Sequence, residues 1–93
     1  MFAVYVEVDN RGESRDDRFR GLREELAPAM KQSPGVESGI FASDETNHVG
    51  FMMLVYDTRE HAGAVAGRIV VGSSPRPGVT VKRIMVAEVA ASF

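Results

Sequence analysis

The sequence predicts an α+β domain in which two helices cover one face of a four-stranded antiparallel sheet. Four stretches rich in β-branched and aromatic residues predict strands, and two stretches with apolar residues three and four positions apart predict helices. They follow one another as strand, helix, strand, strand, helix, strand. The chain has 93 residues, the length of one domain, and no repeat or linker divides it. Residues 1–93 are therefore predicted to form a single domain.

The first strand is predicted from Phe2 to Val8, where the turn Asp9-Asn10-Arg11-Gly12 ends it. Successive side chains of a strand point to opposite faces of the sheet. The valines of this strand therefore share one face, while Tyr5 and Glu7 share the other. The second face is partly polar.

The first helix is predicted from Ser14 to Gln32, because its apolar residues form one stripe: Phe19, Leu22, Leu26 and Met30. The charged residues between them, including Arg18, are assigned to the outer face. Pro28 lies inside this pattern and lacks a backbone N–H, so we expect it to kink the last turn or to end the regular helix early. The segment Ser33-Pro34-Gly35 then stops the helix.

A hairpin of two strands follows, predicted at Val36–Ala42 and His48–Tyr56 around a polar turn. Asp57 or Thr58 can cap a second helix, which is predicted to end at about Val71. This helix has a narrow stripe of mostly small apolar residues, namely Ala62, Val65, Ala66 and Ile69. Small side chains would let it lie close to the sheet.

The last strand is predicted from Val79 to Ala90, after the loop Gly72–Gly78. The resulting order, βαββαβ, contains two right-handed crossover units. Fused in this way, they give a four-stranded antiparallel sheet with both helices on one face. The predicted architecture is thus the ferredoxin-like fold.

Two of the predicted strands are apolar on both faces, although helices can cover only one face of the sheet. In the third strand, one face carries Phe51, Met53 and Val55, and the other carries Met52, Leu54 and Tyr56. An uncovered apolar face is unusual for a soluble monomer, so the sequence predicts a homodimer in which two sheets pack together. Four residues are assigned to the dimer interface or the core: Phe51, Met52, Leu54 and Met85. The pattern leaves open which face is the dimer face.

Composition excludes several classes of function. Eleven basic and thirteen acidic residues give a net charge of −2, which provides no cationic excess for nucleic acid or for an anionic membrane surface. The chain has no cysteine, which excludes disulfides and thiolate metal sites. No apolar run approaches the ~20 residues of a membrane span, and the first residues lack the pattern of a signal peptide. A cytoplasmic protein without membrane or nucleic-acid partners is expected.

The segment "QSPGVESGIFASDETNHVGFMMLVYDTREHAGAV", residues 32–65, resembles the antibiotic-biosynthesis monooxygenase-like family of the dimeric α/β-barrel superfamily. Pro34-Gly35 after the first helix and the run from Tyr56 to Glu60 stand where that family has corresponding motifs. The resemblance implies a dimeric α/β barrel with a pocket between sheet and helices, and oxygenation without a cofactor. Haem-degrading relatives carry an Asn on strand one and a later His on the second helix, and neither has a counterpart at the matching place here.

Four residues are candidates for ligand binding: Tyr5, Met53, Tyr56 and Arg83. Tyr5 and Arg83 are polar residues on strands that otherwise look buried, so under the helices they could orient a polar aromatic ligand, with Arg83 binding an oxyanion. The alternative is that Arg83 forms an ion pair with Glu7 at the rim of the sheet. Methionines such as Met53 can line an adaptable pocket or simply fill the core or the dimer interface.

The two histidines, His48 and His61, are not predicted to form a metal site. A strand of roughly 25–30 Å would separate them at ~3.3 Å per residue, so within one subunit they cannot share an ion. A site between subunits remains an alternative. We expect ordinary polar roles, with His48 at the end of the hairpin and His61 on an exposed helical turn.

Two functional hypotheses follow. In the first, a small homodimeric α/β-barrel protein binds an apolar or aromatic small molecule between sheet and helices, and if it is an enzyme it oxygenates a phenol or quinol without a cofactor. In the second, the dimer is structural or regulatory, and its own side chains fill the pocket. The volume of the pocket separates the two hypotheses, because ligand sites occupy at least ~300 Å³.

Overall fold

The computed structural model describes all residues, Met1–Phe93, and shows the predicted ferredoxin-like arrangement. Its four strands are β1 (Phe2–Asp9), β2 (Val36–Asp44), β3 (Val49–Tyr56) and β4 (Thr80–Glu88). They lie in the order β2-β3-β1-β4, and every neighbouring pair is antiparallel. Strands β2 and β4 are thus the edges of the sheet. No helix has the length and apolarity that a membrane span requires.

The core lies on one face of the sheet, which we call the helix-covered face. It consists of eight buried residues: Val4, Val6, Met52, Leu54, Tyr56, Ala62, Val65 and Val81. A β-bulge changes the pairing of β1 with β4, because Glu7 lies opposite Arg83 while the next residue, Val8, lies opposite Val81. The extra residue lies in β4, between Val81 and Arg83. Val81 and Ile84 therefore point to the same face, although residues three apart in a regular strand point to opposite faces.

The first helix continues through Pro28, but with a change of geometry before it. An α-helical segment, Arg15–Gly21, is followed by a π-helical segment, Leu22–Leu26, and by an α-helical segment, Ala27–Lys31. The N–H of Ala27 bonds to the carbonyl five residues back, on Leu22. Proline has no N–H to donate and its ring crowds the carbonyl four residues earlier, so a widened turn accommodates it. The expected early end of the helix is therefore replaced by a local widening.

The second helix is shorter than predicted and runs from Arg59 to Ala66. The Thr58 hydroxyl accepts a hydrogen bond from the His61 N–H at 3.2 Å, which confirms a cap at this end. At the other end Gly67 is the C-cap, and the chain unwinds through bonds to carbonyls three residues back. The prediction that the helix reaches about Val71 was wrong. Gly63 and Gly67 have low helix propensity and no side chain to pack against the sheet, so the helix is not stabilised beyond Ala66.

Candidate functional site

A half-open cavity of about 330 Å³ lies between the helix-covered face of the sheet and the first helix. Its sheet wall includes Val6, Val8, Met52 and Val81, and its helix wall consists of Leu22, Leu26 and Met30. The helix stripe is correspondingly half-buried and not fully buried, because the cavity separates it from the sheet. This is the place between sheet and helices where a ligand was expected.

A second, larger depression of about 790 Å³ runs between the first helix and the edge strand β2. Among its lining residues only Leu54 is buried, and the charged side chains of Arg23, Lys31 and Glu37 contribute to it. The cavity has a deeper lining, with Val6, Met52 and Val81 all buried. An apolar ligand gains more from leaving water in such surroundings. The cavity is therefore the better candidate site.

One end of the cavity is closed by a buried arginine, Arg18, whose side chain is 7% exposed. Its Nη2 donates to the carbonyl oxygens of Asn10 at 3.0 Å and Glu13 at 2.6 Å, and its Nη1 donates to Glu45 Oε1 at 2.5 Å. The assignment of Arg18 to the outer face was wrong. Its position four residues before Leu22 places it on the edge of the apolar stripe, and that spacing is the signal that could have identified it.

Asn10 lies just beyond the end of β1 and is fully buried beside Arg18. With the amide oriented to satisfy its neighbours, its oxygen accepts from Arg18 Nε at 3.0 Å and its nitrogen donates to the His48 carbonyl at 3.1 Å. The backbone N–H of Asn10 donates to the same carbonyl at 3.0 Å. Asn10 and Arg18 together fix the polar end of the cavity to the β2–β3 hairpin. No sequence pattern pointed to Asn10.

The loop Gly72–Gly78 forms another wall of the cavity through Pro75 and Arg76. Arg76 Nη2 donates to Glu13 Oε2 at 2.5 Å, and the backbone of Gly12 bonds to Gly78 at 3.2 Å. A Cβ on Gly12 would lie 2.6 Å from the Cα of Gly78, so the two backbones touch. The loop is thus held against the start of the first helix. The sequence showed only a turn here.

Three of the four predicted ligand-binding residues lie away from this cavity. Tyr5, Met53 and Arg83 occupy the face of the sheet opposite the helices, which we call the open face. Strand alternation explains this, because the buried Val4 and Val6 flank Tyr5 and point to the helices. The expectation that Tyr5 and Arg83 lie under the helices was therefore wrong. The structure brings the three together, but on the face that no element of this chain covers.

Tyr5 has a defined partner on the open face. Its hydroxyl donates to Glu7 Oε1 at 2.9 Å, and its ring lies 5.7 Å from the ring of Phe51. The hydrogen bond to the Glu7 carboxylate, together with partial burial, raises the pKa of Tyr5. The hydrogen bond thus favours the protonated form of the phenol. Glu7 lies directly opposite Arg83 on β4.

Tyr56, the fourth candidate, lies on the helix-covered face but is fully buried. Its hydroxyl is 2.8 Å from Ser33 Oγ, which donates to the carbonyl of Met30 at 2.6 Å. The tyrosine thus ties the end of the first helix to β3. It lines neither depression, so it is placed as a structural residue.

The four residues assigned to the interface or the core divide evenly between the two faces. Met52 and Leu54 are buried in the core. Phe51 and Met85 lie on the open face, where Met85 is 40% exposed. Ile40 and Met53, which lie beyond Tyr5 in the same row across the sheet, are 52% and 37% exposed. The open face thus carries a row of exposed large apolar side chains that runs across all four strands, whereas on the helix-covered face Val86 on the edge strand is exposed.

The histidines occupy separate places. His48 lies in the β2–β3 turn with a backbone φ of 57°, a left-handed conformation that non-glycine residues seldom adopt. The Nδ1 atom of His61 lies 2.6 Å from Asp57 Oδ1. This hydrogen bond lowers the pKa of Asp57 and ties the helix start to the end of β3.

A pH-dependent contribution to stability is expected from Glu45, which joins Arg18 to the hairpin. A hydrogen bond from Ser43 holds the pKa of Glu45 below its ordinary value of 4.5, and the charge of Arg18 adds to this. Because the folded-state pKa is depressed, the carboxylate stabilises the fold above about pH 4.5, and the contribution is lost as the pH falls through the folded-state value. Glu45→Gln should therefore be less stable than the unmodified protein at pH 7, with the difference shrinking below pH 4.5.

Urea unfolding over a pH series measures this difference. Glu24→Gln serves as the matched control, because Glu24 is exposed and has no ion-pair partner. It should leave stability unchanged at every pH. A Glu45→Gln difference that did not vary with pH would contradict the assignment.

Comparison of the sequence with models of known families and with curated proteins found no match. The class of this protein is therefore defined by its architecture: a ferredoxin-like α+β domain with four antiparallel strands and two helices. Within that class, its distinguishing features are a half-open apolar cavity with a buried polar end and a bare apolar sheet face.

Proposed function

We propose that this protein binds an apolar or aromatic small molecule in the cavity between the sheet and the first helix, and that it acts as a homodimer. The observation that carries the proposal is the cavity itself. Its volume of about 330 Å³ lies just above the ~300 Å³ that separates ligand sites from self-filled pockets. Most of its lining is apolar, and its few polar groups are concentrated at one end.

The homodimer is supported by the open face. Exposed Ile40, Met53 and Met85 lie in one row across the sheet with Tyr5, and the ring of Tyr5 packs near that of Phe51. Contiguous apolar patches of this kind mark interaction sites in soluble proteins. A second copy offers an identical apolar face, and twofold pairing would bury both at once. Two sheets packed in this way form a dimeric α/β barrel.

The resemblance to the antibiotic-biosynthesis monooxygenase-like family suggests a reaction for this site. A phenol with a free para position and O₂ give a quinone and water, with the electrons supplied by the phenol. The reaction needs a base that removes the phenolic proton. Glu13 is the only carboxylate that lines the cavity, and it is paired with Arg76. Glu13→Gln should abolish O₂ consumption with a naphthol substrate if this chemistry operates.

The alternative is a binding protein without catalysis. The ion pair between Glu13 and Arg76 favours it, because the guanidinium already occupies a carboxylate oxygen that would have to accept the phenolic proton. The two candidates differ in one readout. Both predict binding of a naphthol, and only the first predicts O₂ consumption that depends on Glu13.

Filling the cavity should abolish ligand binding. Val8→Phe places a larger side chain in the sheet wall of the cavity. We expect its affinity for the fluorescent apolar probe N-phenyl-1-naphthylamine to fall at least about 10-fold, since even one lost methylene of pocket space discriminates by 10-fold or more. Fluorescence titration measures the affinity, and circular dichroism confirms that the variant folds.

The matched control is Val71→Phe, the same substitution at an exposed position outside the cavity. It should bind the probe as tightly as the unmodified protein. Undiminished binding by folded Val8→Phe would show that the probe occupies another site.

A further inference from the structure

We infer that the ligand of this cavity is an amphipathic monoanion, a flat apolar body with a carboxylate at one end, and that Arg76 binds the carboxylate. This inference rests on the proposed function, because it names the chemical class that the same cavity takes. The observation that supports it concerns Arg76, the one arginine of the cavity lining that has hydrogen-bond donors without a partner.

Arg76 keeps two of its three guanidinium nitrogens without a protein partner. Its Nη2 donates to Glu13 Oε2 at 2.5 Å and to the Asp17 carbonyl at 3.4 Å. Its Nη1 and Nε donate to no protein atom, although the side chain is only 25% exposed. These two nitrogens are not buried, so they are free to donate to an acceptor supplied from outside.

Arg18, the other arginine at this end of the cavity, differs in this respect. All three of its guanidinium nitrogens donate to oxygens of Asn10, Glu13 and Glu45. Arg18 therefore has no guanidinium nitrogen free to bind a ligand, whereas Arg76 has two. The sequence-based candidate for an oxyanion site, Arg83, lies on the open face and does not line the cavity.

The Arg76 guanidinium packs against the first helix and donates hydrogen bonds to Glu13 and to the Asp17 carbonyl. It lies against the Cα of Gly21, where an added Cβ would come within 2.3 Å of Nη2 and 2.8 Å of Nη1. Only glycine leaves room for this contact. The charged group is thus held in place before a ligand binds, and a pre-organised guanidinium loses little entropy when it binds a carboxylate.

The surroundings of Arg76 select the rest of the ligand. The opposite wall consists of apolar side chains, including Leu22, Leu26 and Val81. A body with a polar centre would lose its hydration there without compensation. A cationic end group would face Arg76 and Arg18, which outnumber the single carboxylate of the lining, Glu13. A carboxylate fits, because charge-assisted hydrogen bonds to a guanidinium are short and strong.

The test compares three probes of similar shape, 2-naphthoate, 2-methylnaphthalene and 2-naphthylmethylammonium, by isothermal titration calorimetry with the full chain at pH 7. We expect 2-naphthoate to bind about 10-fold more tightly than the neutral probe, the gain of one charge-assisted hydrogen bond, and the ammonium to bind least. If no probe binds, the proposed function itself is overturned. If the neutral probe binds as tightly as naphthoate, only the present inference is overturned.

Variants of Arg76 locate the effect. Arg76→Gln should lose the preference for naphthoate and keep the affinity for 2-methylnaphthalene, and Arg76→Lys should restore part of the preference. The control Arg23→Gln removes an exposed arginine outside the cavity and should change neither affinity. A preference that survives in Arg76→Gln, or disappears in Arg23→Gln, overturns the assignment.

Glu13→Gln provides a second variant, because it leaves Arg76 intact and removes the carboxylate that competes for it. It should bind naphthoate several-fold more tightly than the unmodified protein, since the guanidinium then has no anionic partner. Weaker naphthoate binding by folded Glu13→Gln contradicts the inference.

Discussion

Met53→Glu is expected to convert the proposed dimer to a monomer at micromolar concentration. Met53 lies near the centre of the open face, paired with Ile40 on one side and Tyr5 on the other. In a twofold dimer the substitution buries two carboxylates in the interface, and an uncompensated buried charge costs about 3–5 kcal/mol. The dissociation constant should rise at least about 100-fold, which is about 2.7 kcal/mol.

Sedimentation velocity over a concentration series measures the change. The control is Val71→Glu, which introduces the same charge on an exposed loop outside the open face and should sediment as the unmodified protein does. Circular dichroism should show the same secondary structure in all three proteins. An unmodified protein that sediments as a monomer at about 10 μM, roughly ten times a dissociation constant of ~1 μM, contradicts the proposed dimer.

Arg18→Leu is expected to lower the free energy of unfolding by about 3 kcal/mol. The substitution keeps an apolar stem but leaves the Glu13 carbonyl without a donor and Glu45 without its ion-pair partner. It also removes one of the two donors of the buried Asn10 carbonyl and of the Asn10 amide oxygen. Each buried acceptor that loses its partner costs about 1–3 kcal/mol. In a domain of this size the midpoint of thermal unfolding should fall by roughly 12–24 °C.

The control for this variant is Arg20→Leu, two residues along the same helix. Arg20 is exposed and its only partner is Asp17, also exposed, so its loss should change stability by less than about 0.5 kcal/mol. Differential scanning calorimetry measures both variants. Equal losses of unfolding free energy in Arg18→Leu and Arg20→Leu would show that the buried hydrogen bonds of Arg18 stabilise the fold no more than an exposed ion pair does.

Much of the fold follows from periodicity in the sequence. The alternation of Val4, Val6 and Val8 predicts a strand with one buried face, and the four-residue spacing from Leu22 to Met30 predicts a helix stripe. These patterns are strong because burying one face of each element dominates its energetics. The order of the elements then leaves few topologies, and the ferredoxin-like one is observed.

Local patterns could not assign the faces correctly. Tyr5 alternates with two buried valines, and which set faces the helices is decided only when the whole sheet assembles. The β-bulge opposite Glu7 shifts the alternation within β4, so counting odd and even positions fails there. Tyr5 and Arg83 were expected under the helices but lie on the open face, because alternation along a strand does not show which of its two faces the helices cover.

The polar end of the cavity was beyond sequence reasoning for a different reason. Asn10, Arg18 and Arg76 come from a turn, a helix and a distant loop, and only tertiary contacts bring them together. The loop approaches the helix because Gly12 and Gly78 let two backbones touch. No spacing of residues along the chain signals such a contact.

The central claim, that a small apolar molecule binds between the sheet and the first helix, is tested most directly by methyl NMR. Isoleucine, leucine, valine and methionine methyl signals are followed as 2-naphthoate is added. The cavity predicts large shifts for Leu22, Leu26, Met30, Met52 and Ile69, with little change at Ile40, Met53 and Met85 on the open face. Shifts confined to the open face, or no shifts at millimolar probe, would contradict the account.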